Sequence, residues 1–252
     1  MALQDLSGRT VAITGASSGI GEATALAFAA AGAAVALGAR RADRIEALAQ
    51  RISDDGGTAV AIEADIGEEA SARAFVEGAH ERLGGLDVLV NNAGVMLLGA
   101  VEAADTEHWR RMIDVNCLGL LYCCHAALPI MRERGGGHIV NLSSVAGRRA
   151  GLGAAVYNLT KFGVTGFSEA LRQEALHMGV RVTIVEPGYV ETELQGHNAH
   201  NPVVMQATEK MAEQIGDPLQ ASDIADAILY AVAQPQHVSI NEVLVRPTGQ
   251  RN

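Results

Sequence analysis

The chain has 252 residues, of which 48% are hydrophobic and only 19% are charged, so it can bury a sizeable core and is too apolar for long disordered segments. Its formal net charge of −10 disfavours nucleic acid and anionic membranes as partners, because both reward clustered Lys and Arg. Three cysteines, two of them adjacent, form no disulfide framework, and residues 1–5 lack the features of a signal peptide. We therefore expect a soluble, cytoplasmic protein with no nucleic-acid or membrane partner.

Short apolar runs alternate with helical patterns along the whole chain. The predicted strands are 10–14, 33–38, 58–63, 87–90, 138–142, 180–185 and 242–245. The predicted helices are 22–31, 41–54, 68–82, 107–133, 155–177 and 221–233. Several strands are continuous runs of Val, Ile, Leu and Ala, which is typical of parallel strands buried on both faces. The alternation predicts an α/β, doubly wound Rossmann fold, with a seven-stranded, mostly parallel sheet and helices on both faces.

No linker rich in Pro, Gly or Ser divides the sequence, so we expect one dinucleotide-binding and catalytic domain over residues 1–252. The least regular stretch, 189–216, follows the sixth strand. Ligands of open α/β sheets bind beyond the carboxyl ends of the strands, so this stretch is predicted to be a substrate loop. His197 and His200 lie within it, but no third ligand is nearby at metal-binding spacing, and we expect no metal.

A glycine-rich turn joins the first strand to the first helix, which is expected to begin at Glu22. Gly15 permits a tight turn, Gly19 lets the backbone approach a pyrophosphate, and Gly21 lets the helix pack on the strand. The helix N-terminus then offers free N–H groups and a positive dipole end to the phosphates. Glycines in a plain turn are the alternative interpretation, but the strand before and the helix after favour dinucleotide binding.

The end of the second strand bears on which dinucleotide is bound. An acidic residue there would hydrogen-bond the ribose 2′-hydroxyl of NAD. The chain instead has Ala39 followed by Arg40 and Arg41, and guanidinium groups match the oxygens of a 2′-phosphate. The alternative is that the two arginines merely begin a solvated helix. We predict NADP(H), with Asp65 at the end of the third strand near the adenine.

Tyr157 and Lys161 are four residues apart on a predicted helix and therefore share a face. An ammonium near a phenol favours the phenolate, so Lys161 is expected to lower the Tyr157 pKa towards a value useful for general acid–base catalysis. Ser144 ends the fifth strand, where its hydroxyl could hold a substrate oxygen. The Tyr-x-x-x-Lys pattern alone is common and becomes informative only beside the glycine-rich turn and this serine.

Taken together, these motifs resemble those of the short-chain dehydrogenase/reductase superfamily, in its single-domain branch, over essentially the whole chain. The matching residues are Thr14 to Gly21 (TGASSGIG), Asn91 to Gly94 (NNAG), Asn116, Ser143-Ser144, Tyr157-x-x-x-Lys161, and Pro187-Gly188 followed by Thr192. Residues 93–99 and 167–174 are similar to the NADP-dependent clavulanic acid dehydrogenase and serine 3-dehydrogenase group.

The resemblance implies a role for each catalytic residue. Tyr157 donates or accepts the substrate proton, Lys161 lowers its pKa and hydrogen-bonds the nicotinamide ribose, and Ser144 steadies the reacting oxygen. Asn116 holds a water that relays protons to Lys161. The predicted cofactor-binding residues are Gly15, Ser17, Ser18, Gly19, Ile20, Gly21, Arg40, Arg41, Asp65, Ile66, Asn92, Ala93, Gly94, Tyr157, Lys161, Pro187, Gly188, Val190 and Thr192. The predicted substrate residues are Ser144, Met96, Tyr157 and Arg148.

Some interpretations remain open at this point. Arg148, with Arg149, either binds a substrate carboxylate or faces an interface or solvent. The favoured function is an NADP(H)-dependent carbonyl reductase or alcohol dehydrogenase acting on a small molecule. The alternatives are an NAD-dependent dehydrogenase of a hydroxy substrate and a non-catalytic nucleotide-binding regulatory protein. The long apolar helices 107–133 and 155–177, which relatives pair between subunits, predict a homotetramer, with a dimer as the fallback.

Overall fold

The structure, a computed structural model, describes residues 5–251 and is built on one seven-stranded sheet. The strands are β1 Thr10–Thr14, β2 Ala34–Ala39, β3 Thr58–Glu63, β4 Val88–Asn91, β5 Gly137–Leu142, β6 Val180–Pro187 and β7 Glu242–Val245. Their order is β3-β2-β1-β4-β5-β6-β7, and every neighbouring pair is parallel. The predicted Rossmann fold is confirmed, and the sheet is wholly rather than mostly parallel.

Helices cover both faces of this sheet. They are α1 Gly19–Ala30, α2 Ala42–Asp54, α3 Glu69–Leu83, α4 Thr106–Ile113, α5 Leu120–Glu133, α6 Ala155–Glu174, α7 Pro202–Ile215 and α8 Ala221–Val232. On one face, Phe28 and Ile228 of α1 and α8 pack in a buried cluster with strand residues such as Ile13. On the other, Phe75 and Met131 of α3 and α5 belong to a second cluster. Because the sheet lies between these two clusters, both faces of its strands are buried, and the strands are therefore apolar throughout.

The chain order of the strands sets where ligands can bind. The chain runs outward from β1 to β3 on one side and from β4 to β7 on the other, so the order reverses between β1 and β4. In such sheets a crevice opens beyond the carboxyl ends of the strands at the point of reversal. The turns after β1 and β4 therefore meet at the place where a ligand is expected.

Helices α2, α3 and α8 lie within one residue of their predicted limits, α6 ends three residues before its predicted end, and three further segments also differ. Helix α1 begins at Gly19, three residues before the predicted start at Glu22. The predicted helix 107–133 is two α-helices joined by a π-helical turn, Asp114–Gly119. The predicted loop 189–216 holds a short 3₁₀ segment, Glu193–Asn198, and then helix α7. The carboxyl end of β6 is therefore followed by ordered helix rather than by irregular chain.

The helical run Thr106–Glu133 is long and apolar enough to cross a membrane by length and composition alone. In this fold it lies against the sheet instead. Cys123, Ala127 and Met131 are fully buried in the core that it shares with α3 and β5. Ile113 and Leu121 on the same run are more than a third exposed. The run is thus a core helix with an additional apolar face.

Candidate active site

A cavity of about 590 Å³ opens at the carboxyl ends of β1 to β6 and brings most of the predicted site residues together. Those that line it are Gly15, Ser17, Ser18, Gly19, Ile20, Arg40, Arg41, Asp65, Ile66, Asn92, Ala93, Gly94, Met96, Ser144, Tyr157, Lys161, Pro187, Gly188, Val190 and Thr192. Three predicted residues do not line it: Gly21, Asn116 and Arg148. Because the lining comes from six strand ends that are far apart in sequence, the fold itself assembles the site.

The turn after β1 has the geometry that a close approach to phosphate needs. Gly15 and Gly19 adopt positive φ angles of 68° and 56°, which residues with a side chain rarely adopt. At Gly21 a Cβ atom would lie 2.3 Å from the Gly15 carbonyl oxygen and 2.6 Å from the Asn92 amide nitrogen. Gly21 therefore lets α1 pack on the turn and on Asn92 rather than touch a ligand itself. The helix starts within the turn, and its first residues, Gly19 and Ile20, line the cavity, so the helix N-terminus lies where an anion site would need it.

Asn92 fixes this turn to the end of β4. Its side-chain nitrogen donates to the carbonyl oxygens of Thr14, at 2.9 Å, and Gly15, at 3.2 Å. The Thr14 hydroxyl in return accepts from the backbone N–H groups of Asn92 and Ala93, both at 3.0 Å. These bonds cross the point where the strand order reverses. They hold the two walls of the cavity at a set distance.

The end of β2 presents arginines, as the sequence predicts. The half-buried Arg41 donates to the hydroxyl groups of Ser17, from Nε at 3.1 Å and from Nη2 at 2.8 Å, and of Ser18, at 2.8 Å. Arg40 is exposed and also lines the cavity. Hydroxyl and guanidinium groups beside the glycine-rich turn are donors that suit a phosphate on the adenosine ribose. The residues present therefore fit NADP(H).

A third arginine, which the sequence analysis did not predict, lies beside Arg40 and Arg41. Arg44, one helical turn after Arg40, donates to Glu193 Oε1 at 2.7 Å, and Arg41 donates to Glu193 Oε2 at 2.8 Å. The two arginines hold the pKa of Glu193 at about 2, so its carboxylate stays ionised at neutral pH. The R-R-x-x-R spacing was the signal for Arg44. Nothing in the sequence linked Glu193 to the end of β2.

Tyr157, Lys161 and Ser144 meet at the buried end of the cavity. Tyr157 and Lys161 are 8% and 6% exposed, and the Lys161 ammonium lies 5.8 Å from the centre of the Tyr157 ring. The Ser144 hydroxyl donates to the Pro187 carbonyl oxygen at 3.4 Å and accepts from the Ala146 N–H at 3.1 Å, and it lies close enough to the phenol to oppose the rise of the Tyr157 pKa. A phenol and a hydroxyl side by side on a cavity wall can together hold one carbonyl oxygen.

The predicted net fall of the Tyr157 pKa is wrong for this structure. Burial outweighs the neighbouring polar groups and raises the pKa of Tyr157 to about 12, while Ser144 opposes that rise. Burial also lowers the pKa of Lys161 to about 8, and its ammonium donates to the Leu142 carbonyl oxygen at 2.8 Å. Tyr157 is thus protonated at neutral pH. That state suits it to give a proton rather than to take one.

Asn116 lies just outside the cavity and connects two segments of the fold. Its side-chain oxygen accepts from the Val95 N–H, and its nitrogen donates to the Val95 carbonyl, both at 2.8 Å. The same nitrogen donates to the Thr160 hydroxyl at 3.2 Å, which bonds the Tyr157 carbonyl oxygen at 2.8 Å. Asn116 therefore ties the loop after β4 to helix α6. The proton relay implied by the family resemblance stays a prediction.

Arg148 was predicted to bind substrate, but in the structure it does not line the cavity. Its guanidinium bonds Glu186, which is fully buried, at 2.5 Å and also contacts Glu242 of β7. Two carboxylates therefore satisfy the cation outside the cavity, and no charge is left over for a substrate. Burial raises the pKa of Glu186 while Arg148 opposes that rise. Arg148 joins the loop after Ser144 to the edge of the sheet.

The remaining cavity wall is mostly apolar. Its lining residues on the Tyr157 side are Met96, Leu98, Val145, Ala146, Ala154, Tyr189, His197, Thr208 and Met211. The sequence predicted Met96 by residue, and its predicted substrate loop 189–216 contains Tyr189, His197, Thr208 and Met211. It did not predict that the last two lie on a helix, α7. His197 Nδ1 accepts from the Met96 N–H at 3.4 Å. Within residues 5–251, no group of three or more His, Cys, Asp or Glu side chains could hold a metal ion.

Comparisons with known proteins agree with this geometry. Residues 9–202 match the family model described as short chain dehydrogenase. An uncharacterised oxidoreductase of Staphylococcus saprophyticus is 40% identical, over 98% of this chain and 99% of its own. Glycine betaine reductase of Emericella nidulans is 42% identical over 97% of this chain, but that match spans only 19% of the relative's length.

Solved structures give the same result. A serine dehydrogenase complexed with NADP⁺, in its closed form, superposes with a TM-score of 0.88, 32% identity and 96% coverage of both chains. An alcohol dehydrogenase of the archaeon Thermococcus sibiricus complexed with 5-hydroxy-NADP has a TM-score of 0.86 and 30% identity, covering 97% of this chain and 98% of its own. The likeness extends over whole chains and not only over the dinucleotide-binding half.

Proposed function

Because the chain belongs to the short-chain dehydrogenase family, an oxidoreductase family, we propose that it is an NADP(H)-dependent carbonyl reductase or alcohol dehydrogenase. The observation that carries the proposal is the shared cavity. It holds a protonated phenol beside a serine hydroxyl at its buried end and arginines at the end of β2. A ketone, an aldehyde or the matching secondary alcohol is the substrate class that this arrangement can handle.

The chain's own residues orient the reacting oxygen and move its proton. When bound, the nicotinamide supplies the hydride that reaches the carbonyl carbon in reduction. Ser144 and Tyr157 donate hydrogen bonds to the carbonyl oxygen, and Tyr157 gives up its proton as negative charge develops there. The buried Lys161 ammonium, 5.8 Å from the ring centre, stabilises the phenolate that is left behind.

NADP(H) rather than NAD(H) is the proposed cofactor. Ala39 offers no carboxylate to a ribose 2′-hydroxyl, and Arg41 is held by Ser17 and Ser18 beside the glycine-rich turn. The two solved structures described above carry NADP⁺ and 5-hydroxy-NADP, which supports the same choice. An NAD-dependent dehydrogenase would need another partner for the 2′-hydroxyl. A regulatory protein without catalysis would have no use for buried Tyr157 and Lys161.

The enzyme is proposed to be one dinucleotide-binding and catalytic domain in which residues 189–216 contact the substrate. It acts on a small molecule in the cytoplasm, with no nucleic-acid or membrane partner, and its net charge of −10 and its free cysteines support this. It is proposed to form a homotetramer through the helical run Thr106–Glu133 and α6. Leu159 and Phe162 of α6 are 62% and 45% exposed, which supports an interface there.

The test is a screen of ketones and aldehydes for NADPH oxidation, followed by kinetics with NADPH and NADH. We expect a higher kcat/KM with NADPH. Arg41→Ala should weaken NADPH by about 1–3 kcal/mol and NADH little, because only the phosphate loses a charge-assisted bond. Arg51→Ala is the matched control, since Arg51 lies on α2 outside the cavity and is 60% exposed. Equal kcat/KM values for NADPH and NADH would refute the cofactor assignment.

A further inference from the structure

Glu193 places a carboxylate where the cofactor phosphate should lie. Its two oxygens accept from Arg41 at 2.8 Å and from Arg44 at 2.7 Å. Glu193 is separated from Arg41 by 152 positions in the chain, so this contact is not a local helix pair. Its side chain is 51% exposed, and it lines the same cavity as Arg41.

The position of Glu193 is set by the backbone around it. Thr192 caps the 3₁₀ segment Glu193–Asn198 by accepting from the Leu194 N–H at 3.3 Å. The Thr192 methyl group would lie 3.2 Å from a Cβ at Gly19, so this segment lies directly on the glycine-rich turn. Glu193 therefore reaches from the segment after β6, which is expected to meet the nicotinamide, to the arginines after β2.

A carboxylate and a 2′-phosphate use the same guanidinium donors. Both are anions, and each seeks the paired N–H groups that an arginine offers. A phosphate bound by Arg41 and Arg44 with Glu193 still in place would also lie beside a like charge. Glu193 keeps that charge at neutral pH, because the two arginines hold its pKa at about 2.

We propose that Glu193 competes with the 2′-phosphate of NADP(H) for Arg41 and Arg44, which makes it a residue that determines cofactor specificity. The inference rests on the proposed cofactor. Binding of NADP(H) must displace the carboxylate, whereas binding of NAD(H) leaves it in place. Glu193 therefore weakens the preference for NADP(H) that the arginines create.

The experiment measures dissociation constants of NADPH, NADH and 2′-AMP for the wild type and for Glu193→Gln by calorimetry. Gln keeps the size of the side chain and removes its charge. In the wild type the phosphate must replace the two exposed ion pairs of Glu193, and the variant lacks them. NADPH and 2′-AMP should therefore bind about three- to tenfold more tightly to the variant. NADH should change less than twofold. Glu191→Gln is the matched control, because Glu191 is exposed on the same segment and contacts Gln220 instead.

The outcomes separate the two proposals. Unchanged or weaker NADPH binding by Glu193→Gln would overturn the competition, while tight NADPH binding by the wild type would still support the cofactor. If 2′-AMP fails to bind both proteins and NADPH binds no better than NADH, the cofactor assignment itself fails. An equal gain in Glu191→Gln would mean that net charge, and not the contact with the arginines, controls affinity, and it would also overturn the proposal.

A second inference comes from the charges around the reacting end of the cavity. The charged residues that line the whole cavity, within residues 5–251, are Arg40, Arg41, Asp65, Lys161 and Glu193. Four of them lie at the ends of β2 and β3 or in the cluster around Arg41. The fifth, Lys161, is buried against the Leu142 carbonyl oxygen. Among these five residues, the cation beside Tyr157 is thus Lys161, and its ammonium already donates to the backbone.

The polar groups on that wall are neutral. His197 accepts a hydrogen bond from the Met96 N–H on Nδ1, and burial, followed by the charges of Arg111, Arg40 and Arg41, lowers the pKa of His197. Thr208 and Tyr189 bring hydroxyl groups among methionine and alanine side chains. Arg148, the cation that could have turned inward, is held by Glu186 and Glu242. A substrate carboxylate would lose its hydration here and gain hydroxyl groups but no cation that is free of other bonds.

We infer that the enzyme's substrates are neutral carbonyl compounds or alcohols and that carboxylates are rejected. This rests on the proposed function. The test compares kcat/KM for ethyl acetoacetate with that for acetoacetate, and for the best ketone of the screen with its carboxylate analogue, using NADPH. We expect the neutral member to be favoured at least about 100-fold, as expected where a buried charge has no partner.

A substitution that introduces a cation into the cavity provides a second test. Met211 lines the cavity and is 42% exposed, so Met211→Arg should fold and should raise kcat/KM for the acid relative to the ester. Met211→Leu is the matched control and should leave the ratio unchanged. Acid and ester reduced equally by the wild type would overturn this inference and leave the reductase intact. No turnover of any carbonyl compound would overturn the proposed function together with the inference.

Discussion

Replacement of Tyr157 by Phe tests the proposed chemistry most directly. The change removes one oxygen from a ring that is 8% exposed and packs with Val95 and Met112. The ring keeps its packing, and the one side-chain partner that the phenol loses is the half-buried Ser144, which water can reach. The free energy of unfolding should therefore change by only about 1 kcal/mol.

The effect on turnover should be far larger than the effect on folding. With Phe, the carbonyl oxygen keeps Ser144 but loses its proton donor. A lost general acid costs about 10²–10⁴-fold, which corresponds to about 3–5 kcal/mol in the activation free energy. NADPH affinity should change little, because the phenol faces the reacting oxygen and not the phosphates. The measurements are kcat, the NADPH dissociation constant and the melting temperature of the same preparation.

Two other tyrosines provide the controls. Tyr122 is partly buried on α5 outside the cavity, so Tyr122→Phe removes a comparable hydroxyl and should keep turnover. Tyr189 lines the cavity and is the other phenol that could reach a substrate. Near wild-type turnover by Tyr157→Phe would refute the mechanism. If Tyr189→Phe abolished turnover while Tyr157→Phe did not, the proton would come from the wrong side of the cavity for the proposed arrangement.

Three further predictions follow from the same geometry. Reductive kcat/KM should fall as pH rises through about 8, because the buried Lys161 loses the charge that stabilises the phenolate, and a profile flat to pH 10 would contradict this. Light scattering should give a tetramer or dimer, and Phe162→Glu, on the exposed apolar face of α6, should shift it to a smaller species while Leu176→Glu should not. Asn116→Ala should lower the free energy of unfolding in urea by about 1–3 kcal/mol, because both backbone groups of Val95 lose a buried partner.

The sheet could be predicted well because its strands are short, wholly buried apolar runs. The limits of β1, β3 and β7 match the predicted ones, and the other strands differ by one or two residues. The start of α1 was predicted too late because Gly19 disfavours helix, yet the turn begins the helix there. The π-helical turn could not be predicted from the sequence, since the apolar pattern continues through it. It coincides with the bonds from Asn116 to Val95 and Thr160, which are contacts across the fold.

Helix α7 was missed although local signals were present. Asn201 caps it through its side chain, which accepts from the Val204 N–H at 3.3 Å, and Pro202 occupies the first turn. Both are typical of a helix start. The residues before them, with glycine, histidine and asparagine close together, favoured a loop for the whole stretch. The error concerned the secondary structure alone, because Thr208 and Met211 of α7 lie within the predicted substrate loop and do line the cavity.

The site residues that carry family motifs could be predicted, and those defined by distant charge partners could not. The motif residues line the cavity because strand ends in this topology must meet there. Glu193 and Arg41 are 152 positions apart, and Arg148 and Glu242 are 94 apart, so no local pattern relates them. The Tyr157 pKa was misjudged for a related reason. Helical spacing places Lys161 on the same face, but burial, which spacing does not reveal, dominates.

Arg148 allows a structural role and a substrate role to be told apart by experiment. Its side chain is 38% exposed and joins the fully buried Glu186 to the half-exposed Glu242. Arg148→Met leaves the fully buried Glu186 without its ion-pair partner, which should lower the free energy of unfolding by about 1–3 kcal/mol, less than for a fully buried pair because solvent reaches the arginine. The double variant with Glu186→Gln should recover much of that loss, because it removes the charge left alone.

Kinetics on the same variants complete the argument. If Arg148 only anchors the loop after Ser144, Arg148→Met should lower kcat modestly, and the preference for neutral over carboxylate substrates should stay as it was. If Arg148 binds a substrate carboxylate, KM for the acid should rise selectively while the melting temperature holds. The structure favours the first result, because both carboxylate partners are already in contact with the guanidinium. Selective loss of acid binding with unchanged stability would refute this reasoning and restore Arg148 to the substrate site.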